Sequence, residues 1–298
     1  MRVHHLNCGS LRTISMAGGT SPPQHVVCHC LLIETAEGLV LVETGFGLGD
    51  IRHPGESLGD TFLVFAEPVL DPDQTAIRQV IRLGYAPADV RHIVLTHLHR
   101  DHTGGLPDFP HATVHLHEAE YRAVTDPHAE HHQHSLERFM TAHRAHNPRW
   151  APARPDTSWF GIDAARLDGL PDAILLISLP GHTPGHSAVA VRLADRWLLH
   201  AGDAYLYHGE IEADPPLNHP ELDILQQATQ VDAGLRLDSL ERLRALRRDH
   251  SDQIAIFCAH DPWEYQRHQS ETSPCSRLSA GRRWSWRPAM TQRSRSGH

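Results

Sequence analysis

The chain has 298 residues, and every one of its 27 basic residues is an arginine. Without lysine the protein cannot carry a Walker A phosphate loop, the strand lysine of a protein kinase or the amine of a Schiff-base enzyme. The formal charge of −9 gives no support for binding to nucleic acid, whereas 40% apolar residues are enough for a sizeable core.

Predicted strands and helices alternate along the chain. Two apolar runs, 26–34 and 39–44, are joined by the turn 36–38 and predict a hairpin. The further predicted elements are a helix over 74–84, strands over 92–96 and 113–116, a helix from Glu118, a helix over 133–146, strands over 173–179, 186–193 and 196–201, a helix over 237–249 and a strand over 254–259. This α/β (α+β) order favours two packed sheets or a mixed sheet flanked by helices.

Two segments differ in composition from the rest of the chain. Residues 126–160 are rich in His, Arg, Pro and Trp, and we interpret them as an insertion that covers one end of the core. From residue 270 onward the chain is rich in Ser, Arg and Pro and has no sustained hydrophobic period, which predicts a basic, disordered tail. We therefore expect residues 1–269 to form one domain.

The cysteine count and the hydropathy pattern predict the compartment. Five cysteines are an odd number, and their spacing gives no disulfide framework, so a reducing environment is expected. The first residues lack the apolar segment of a signal peptide, and no run of 18 apolar residues occurs. The sequence therefore predicts a cytoplasmic protein with no membrane partner.

The segment His97-Leu98-His99-Arg100-Asp101-His102 carries the densest set of possible metal ligands. It directly follows the predicted buried strand 92–96. Side chains at positions i and i+2 of an extended segment point the same way, so His97 and His99 can bind one ion together. Asp101 and His102 lie past the bend and can face a second ion. Four polar groups at the end of a core strand contribute nothing to packing, which favours a metal site.

Three more candidate ligands each follow an apolar strand. His182 lies in the segment GHTPGH at 181–186, Asp203 follows the strand 196–201, and His260 follows the last predicted strand. Loops at one end of a sheet are where a rigid scaffold presents functional groups. Each of these residues is a weak signal alone, but together with the first motif they complete two coordination shells.

This set of motifs resembles that of the metallo-β-lactamase superfamily. The matching motifs, in the superfamily's order, are ETG at 43–45, HLHRDH at 97–102, GHTPGH at 181–186, GDA at 202–204 and AHD at 259–261. The resemblance covers residues 25–262 and implies a four-layer αββα sandwich with a dinuclear site at one edge of the sheets, here with a helical insertion over the active site. The family usually has Asp where this chain has Glu43, which we expect to orient a ligand and not to bind metal.

The resemblance implies a role for each matching residue. One metal ion would be held by His97, His99 and His182, the other by Asp101, His102 and His260, with Asp203 bridging the two. Most family members use zinc, which suits these nitrogen and oxygen ligands, and iron and manganese are alternatives. The expected cofactor is therefore a pair of zinc ions.

Two adjacent divalent ions explain how such a site would work without a lysine, serine or cysteine nucleophile. Ions about 3.5–4 Å apart share a bridging water and lower its pKa toward neutrality, which provides hydroxide at pH 7. One ion polarises the substrate carbonyl, and the other stabilises the departing oxygen. Asp101 would both bind metal and accept a hydrogen bond from the nucleophile, and we treat it as a catalytic candidate.

Within the superfamily, the stretch from Leu83 to Val124 and the layout that follows it resemble the N-acyl-homoserine lactonases. In those enzymes a tyrosine three residues after the bridging Asp donates a hydrogen bond to the substrate. Here that position is Leu206, and tyrosines stand on either side of it. If the segment is extended, Tyr205 and Tyr207 point the same way, so they are catalytic candidates or simply packing residues.

Several other activities are alternatives. Glyoxalase II-type thioesterases share all seven ligands, phosphodiesterases occur on the same fold, and sulfur dioxygenases keep the motif but bind a single iron. True β-lactamases of the superfamily lack the bridging Asp and fit less well. A non-catalytic binding or sensor protein is disfavoured because the full ligand set is retained. We predict a hydrolase of lactones or related carboxylic esters with a small-molecule substrate, and we consider a homodimer as its oligomeric state.

Three weaker features have ordinary structural interpretations. Cys28 and Cys30 share a face with core residues, which favours packing over metal binding. The histidines at 128, 131, 132 and 134 lie in the polar insertion and form either a solvated or a substrate-lining face. Four aromatic residues either line an acyl pocket or belong to the core: Phe46, Trp150, Trp159 and Phe160. His186, near the site, is expected to support the ligands and not to bind metal.

Overall fold

The computed structural model describes residues 1–16 and 22–272, and twelve strands in this part of the chain form two six-stranded sheets. The first sheet contains β1 (Arg2–Ile14), β2 (Gln24–Glu34), β3 (Leu39–Val42), β4 (Val90–Val94), β5 (Thr113–His117) and β6 (Arg149–Ala153) in that order. The second sheet, in the order β12 to β7, contains β7 (Thr157–Trp159), β8 (Ile162–Arg166), β9 (Ile174–Ser178), β10 (Ser187–Arg192), β11 (Trp197–His200) and β12 (Ile254–Phe257).

Helices connect and flank these strands. They are α1 (Leu48–Arg52), α2 (Pro54–Ser57), α3 (Asp60–Ala66), α4 (Ala76–Arg82), α5 (Arg100–Thr103), α6 (Glu118–Thr125), α7 (His132–Arg138), α8 (Thr141–Arg144), α9 (Gly209–Glu212), α10 (Pro220–Thr229), α11 (Ala233–His250) and α12 (Pro262–Thr272). None of the helices in the described ranges is long and apolar enough to cross a membrane.

The two sheets pack face to face, and helices cover their outer faces. In β2, Leu31 and Ile33 point into the layer between the sheets, where they join Val189 and Val191 of β10. The outer face of the first sheet packs on α4, and the outer face of the second packs on Leu240, Leu243 and Leu246 of α11. Because both faces of the central strands are buried, their sequences are continuous apolar runs. The predicted four-layer αββα sandwich is confirmed.

The predicted hairpin and the central strands also agree with the structure, but β1 and β6 to β8 were not predicted. β1 pairs with β2 with register shifts between Asn7 and Ser10 and between Ser10 and Thr13. Such irregularities break the two-residue alternation by which a strand is identified from sequence.

Regular elements occur within the predicted insertion and at the start of the predicted tail, and the division of the chain into a domain and a tail stays a prediction. The helix predicted over 133–146 is two short helices, α7 and α8, which are interrupted at residues 139 and 140. The last third of the segment 126–160 contains β6 and β7, so that part belongs to the sheets. The predicted tail from residue 270 overlaps the last turn of α12, and residues 273–298 lie outside the described residues.

The topology brings the candidate ligands to one edge of the sandwich. β11 and β12 are parallel neighbours with His200 opposite Phe257, so the segments that follow them leave the second sheet side by side. β4 ends at Val94 in the first sheet, and Ser187 of β10 hydrogen-bonds through its amide to Thr96 O at 3.0 Å. The loops after β4, β9, β11 and β12 therefore meet at one edge.

Candidate metal centre

The candidate metal centre is buried under the loops at this edge. His97 and His99 lie in the extended segment after β4, and Asp101 and His102 lie in the single turn of α5. His97 is 0% exposed, His99 is 8% exposed, and Asp101 is partly exposed on the wall of a cavity. The HLHRDH segment therefore lies at the wall of this cavity.

His97, His99, His182 and Asp203 form the first ligand group, in which one ligand atom of each side chain lies within 4.8 Å of the others. His182 Nε2 is 3.1 Å from His99 Nδ1 and 3.3 Å from Asp203 Oδ2. His97 Nε2 is 3.9 Å from the same carboxylate oxygen. These four side chains converge as the ligands of one ion would.

A second group shares Asp203 with the first. His102, Asp203 and His260 offer ligand atoms within 4.8 Å of one another. Asp203 Oδ1 lies 3.4 Å from His102 Nε2 and 3.3 Å from His260 Nε2. Asp101 stands beside this group, with Oδ2 3.5 Å from His260 Nε2. The two carboxylate oxygens of Asp203 thus face different groups of histidines.

The residues at this site fit divalent metal ions. Three of the atoms that converge here are buried and have no hydrogen-bond partner: His97 Nε2, His102 Nε2 and Asp203 Oδ1. Buried polar atoms in proteins are nearly always hydrogen-bonded, so such a cluster of orphan atoms indicates a missing ligand. Imidazole nitrogens and carboxylate oxygens are the ligands that zinc and similar ions take.

The electrostatics hold His97, His99 and Asp203 in forms that bind metal, whereas His102 and His260 would have to lose a proton first. Burial alone would lower the pKa of these two histidines, but Asp203 raises it above the usual value. Burial, followed by neighbouring histidines, lowers the pKa of His97 and of His99 well below the usual value, so both rings are neutral. Burial alone would raise the pKa of Asp203, but His260 and His102 hold it well below the usual range. Neutral imidazole and ionised carboxylate are the metal-binding forms of these groups.

Glu43 and the backbone of β2 orient two of the histidines. His102 Nδ1 donates to Glu43 Oε2 at 3.0 Å, and the amide of Thr96 donates to Glu43 Oε1 at 2.6 Å. His260 Nδ1 donates to the carbonyl of Val27 at 2.8 Å. The contacts at Nδ1 of His102 and of His260 orient each imidazole ring so that its Nε2 points at Asp203. Carboxylates and carbonyls orient metal-binding histidines in this way. Glu43 therefore supports His102 despite its extra methylene.

Glu120 of α6, which was not predicted as a site residue, joins the two main ligand loops. Its buried carboxylate accepts hydrogen bonds from Leu98 N at 3.0 Å, Thr183 Oγ1 at 2.7 Å and Gly185 N at 3.0 Å. The only signal in the sequence is that Glu120 has helical spacing with the apolar residues Ala123 and Val124. Its partners are 22 and 63 or more residues away, so the contact itself is not readable from spacing.

His186 and Gly202 place the backbone of Asp203. The Asp203 amide donates to His186 Nε2 at 2.9 Å, and His186 Nδ1 donates to Leu179 O at 2.8 Å. Both ring nitrogens of His186 are therefore used. Gly202 has a φ of 55°, and a Cβ there would lie 2.6 Å from His186 Nε2, so a side chain at this position would displace the ring.

The two predicted catalytic tyrosines do not reach the cavity. Tyr205 is fully buried, and its hydroxyl donates to Glu264 Oε1 at 2.9 Å. Tyr207 is buried against Trp263 and His219. Leu206, between them, lines the cavity. Of the two interpretations of the pair, catalytic or packing, the geometry of Tyr205 and Tyr207 agrees with packing, and it is residue 206 that lines the cavity.

The other residues considered in the sequence do not line the cavity. Cys28 and Cys30 are buried in the core, and Cys28 Sγ also lies within 4.8 Å of ligand atoms of Asp101 and His260. Phe46 and Trp159 are core residues, Trp150 and Phe160 pack against core clusters, and none of the four lines the described cavity. The histidines at 128, 131, 132 and 134 also lie outside its wall.

The cavity over the ligands has a volume of about 390 Å³. His99, Asp101, Asp203 and His260 line its floor. Its walls include apolar side chains from β1, α3 and α10, namely Leu11, Ile14, Phe62, Phe65, Leu222 and Leu225. Such a volume accommodates a small organic molecule with an apolar portion.

Residues 24–250 match the family described as the metallo-beta-lactamase superfamily. The chain belongs to the metallo-β-lactamase superfamily. The "Probable metallo-hydrolase Rv2300c" of Mycobacterium tuberculosis is 40% identical over 271 residues, which cover 89% of this chain and 82% of that protein. The "N-acyl homoserine lactonase AttM" of Agrobacterium fabrum is 28% identical over 282 residues, covering 88% of this chain and 94% of that protein.

Solved structures of other proteins share the fold. An N-acyl homoserine lactone hydrolase, described with N-hexanoyl-L-homoserine bound at its catalytic metal centre, matches with a TM-score of 0.62 at 21% identity, over 90% of this chain and 95% of that chain. AidC, described as a dizinc quorum-quenching lactonase, matches with a TM-score of 0.53 at 17% identity, over 81% of this chain and 74% of that chain. The protein is a metal-dependent hydrolase with the metallo-β-lactamase fold.

Proposed function

We propose that this metallo-β-lactamase-fold hydrolase holds two zinc ions and opens lactones of the N-acyl-homoserine type or cleaves related carboxylic esters. The observation that carries the proposal is that Asp203 is shared by two ligand groups at the floor of a largely apolar cavity. Support comes from the relative named as an N-acyl homoserine lactonase and from the neighbour described as a dizinc lactonase.

In this proposal the seven predicted ligands divide between two ions. The first ion would be held by His97, His99, His182 and Asp203, and the second by Asp101, His102, His260 and Asp203. When bound, the ions would supply an activated water at neutral pH and polarise the scissile carbonyl.

Asp101 is the side chain we propose to move the proton. It is partly exposed on the cavity wall, and its two carboxylate oxygens lie 3.9 Å from His102 Nε2 and 3.5 Å from His260 Nε2. The carboxylate would accept a proton at Oδ from the attacking water and return it to the alkoxide oxygen of the opened ester. Removal of this carboxylate would leave the water and the leaving group without a proton carrier.

The apolar wall would hold the acyl portion of the substrate. Phe62 and Phe65 of α3 and Leu222 and Leu225 of α10 line the same cavity as Asp101. Burial of methylene groups there contributes about 0.8 kcal/mol for each group. Leu206 stands where the lactonases have their tyrosine, and it has no hydroxyl. Because Tyr205 and Tyr207 do not line the cavity, the proposal gives them no contact with the substrate.

The proposal is tested with His97→Ala and Asp101→Ala. Each variant should retain less than about 1% of the wild-type kcat/KM for N-hexanoyl-homoserine lactone, because the residues act as parts of one unit. His97→Ala should also lower the zinc content found by elemental analysis. Hydrolysis is followed with a pH indicator, which reports the released carboxylic acid for lactones, esters and thioesters alike.

The matched control is His128→Ala, which removes an exposed histidine from the insertion and should leave both zinc content and turnover unchanged. Wild-type turnover by His97→Ala or Asp101→Ala would overturn the assignment of the site. Cleavage of thioesters with no cleavage of lactones or esters would overturn the substrate class and leave the hydrolase intact. Homodimer formation and the cytoplasmic compartment stay predictions from the sequence.

A further inference from the structure

Two arginines stand in the cavity wall directly beside the candidate metal ligands. Arg100 belongs to α5, between His99 and Asp101, and Arg138 is the last residue of α7. Both are half-buried, and both line the cavity. They bring two positive charges to the wall of the cavity that contains the candidate ligands.

The hydrogen-bond partners of these guanidinium groups are neutral. Arg100 Nη1 donates to the carbonyl of Leu58, and its Nη2 donates to the carbonyl of Glu137 at 2.8 Å. Arg138 Nη2 donates to the carbonyl of Ala228 at 3.0 Å. Within the described ranges, no carboxylate lies within 4.0 Å of either group, which is the limit of an ion pair. Backbone carbonyls fix the position of a guanidinium without forming an ion pair with it, and the nearby carboxylate of Asp101 offsets only part of the two charges.

A third arginine lines the cavity, and it differs from Arg100 and Arg138 because it forms an ion pair within the protein. Arg12 of β1 also lines the wall, but its Nη2 lies 2.8 Å from Glu67 Oε1. Its charge is therefore already paired within the protein. Arg100 and Arg138 are the cavity arginines with no carboxylate at ion-pair distance among the described residues. Arg100 also lies over the Phe62 ring at 5.3 Å, so Arg138 has the less restricted guanidinium.

The two side chains lie in the same part of the wall, because Arg100 donates to the carbonyl of Glu137, the residue before Arg138. Burial, and after it the charge of Arg100, lowers the pKa of Arg138. A half-buried pair of like charges is unfavourable, and an anion placed between them would relieve it. Glu137 and Glu221 line the outer cavity but are exposed, so solvent screens their effect.

We propose that the cavity recognises a substrate that carries a carboxylate in addition to its scissile ester or lactone, and that Arg138, with Arg100 beside it, binds this carboxylate. The inference rests on the proposed hydrolase function and names the class of its substrate. Guanidinium forms two parallel hydrogen bonds with a carboxylate, which gives both charge and geometry. A singly charged group suits a cavity that also contains three acidic side chains outside the shared ligand Asp203: Asp101, Glu137 and Glu221.

The test compares matched esters that differ in one terminal group. The mono-4-nitrophenyl esters of succinate, glutarate and adipate are compared with the 4-nitrophenyl esters of butanoate, pentanoate and hexanoate, after subtraction of uncatalysed rates. We expect the anionic ester to have a kcat/KM about tenfold or more above that of its neutral partner at the best chain length. In Arg138→Gln this ratio should fall to about one, and Arg138→Lys should retain part of it.

Arg144→Gln is the matched control. Arg144 belongs to the neighbouring helix α8, lies over the Phe139 ring at 5.4 Å and does not line the cavity, so its removal should leave the ratio at the wild-type value. Thermal unfolding of each variant verifies the fold. A wild-type ratio near one overturns the inference even if Arg138→Gln does not fold. An unchanged ratio in folded Arg138→Gln overturns it as well.

Calorimetric titration of the zinc-loaded protein with adipate and with hexanoate measures the same contrast without turnover. Adipate should bind about tenfold more tightly than hexanoate, beyond the twofold statistical advantage of two carboxylates, and Arg138→Gln should lose this difference. If no ester is cleaved but the difference depends on Arg138, the proposed function fails and the anion site stands. If the esters are cleaved and the difference is absent, the anion site fails alone. If no ester is cleaved and the affinity difference is absent, the proposed function and the anion site are both overturned.

Discussion

Glu43 has a φ of 61°, an unusual backbone conformation for a residue with a side chain, and its carboxylate is almost completely buried. One oxygen accepts the Thr96 amide, and the other accepts His102 Nδ1. Strained backbone is retained where the surrounding contacts require it. At this residue the strain brings a carboxylate to a candidate metal ligand, so the glutamate performs the orienting role expected of the family's aspartate.

Replacement of Glu43 by alanine should weaken metal binding without removal of a ligand. The change leaves His102 free to rotate and the buried Thr96 amide without its acceptor, and loss of such an orienting carboxylate typically costs about 10- to 100-fold in metal affinity. Competition with a chromogenic zinc chelator measures the affinity. The control is Glu37→Ala in the exposed turn before β3. Equal affinity in Glu43→Ala and the wild-type protein would contradict the orienting role.

At the level of elements, four histidines connect β1, β2, β11 and α12. His5 Nδ1 lies 2.8 Å from His29 Nε2, and His200 Nε2 donates to the carbonyl of His29 at 2.6 Å. The His5 ring stacks on His268 of α12 with ring centroids 4.7 Å apart. Burial, and after it His268, lowers the pKa of His5 to about 3. The packing of these elements therefore depends on neutral imidazole rings.

This cluster should make the protein sensitive to acid. Since the pKa of His5 is lower in the folded protein than in the unfolded chain, the unfolded chain binds more protons below about pH 6.5. Stability is then present above about pH 6.5 and is lost as the pH falls toward 3, by up to about 1.4 kcal/mol per pH unit for each such histidine.

Urea unfolding of metal-free protein at pH 7, 6 and 5, followed by tryptophan fluorescence, measures this slope. His5→Gln should reduce the pH-dependent loss in the free energy of unfolding by the contribution of one histidine. His53→Gln, a change at an exposed histidine, should leave this loss unchanged. Parallel pH curves for His5→Gln and the wild-type protein would show that the ring is not buried in its neutral form.

For the whole molecule, the important feature is that the candidate ligands come from both sheets. His97, His99, Asp101 and His102 follow β4 of the first sheet, and His182, Asp203 and His260 follow strands of the second. Metal ions bound there would connect the two halves of the sandwich at one edge. Ligands that bind only the folded state stabilise it by mass action.

Removal of metal should therefore lower the unfolding temperature. At free metal about a thousandfold above Kd the stabilisation is about 4 kcal/mol, which for a chain of this size corresponds to a decrease in Tm of roughly 8–16 °C. Differential scanning calorimetry with and without a chelator measures the shift, and His97→Ala should show a smaller one. An identical Tm under both conditions would mean that the site does not hold metal in the folded protein.

Residues close together in sequence allowed the largest part of the site to be predicted. The spacing in HLHRDH places ligands on one side of a short segment, and apolar runs before residues 97, 182, 203 and 260 identify each as following a strand. The hairpin of β2 and β3 and the helix α11 have clear periodicity and were predicted for the same reason. Local backbone geometry is sufficient for such features.

Only the tertiary structure decided which distant side chains meet. The carboxylate of Asp50 contacts His143 at 2.8 Å across 93 positions, and Glu120 joins two loops that no spacing relates to it. The direction of Tyr205 and the exposure of Arg138 in the cavity likewise depend on how the segment after β11 and the end of α7 pack. The sequence by itself selected the candidate ligands by their spacing after apolar strands, and the resemblance of these motifs to the superfamily implied the four-layer sandwich, because motifs and spacing are local features. The supporting contacts and the cavity arginines depend on packing between elements far apart in the chain, and that packing is set by the whole core.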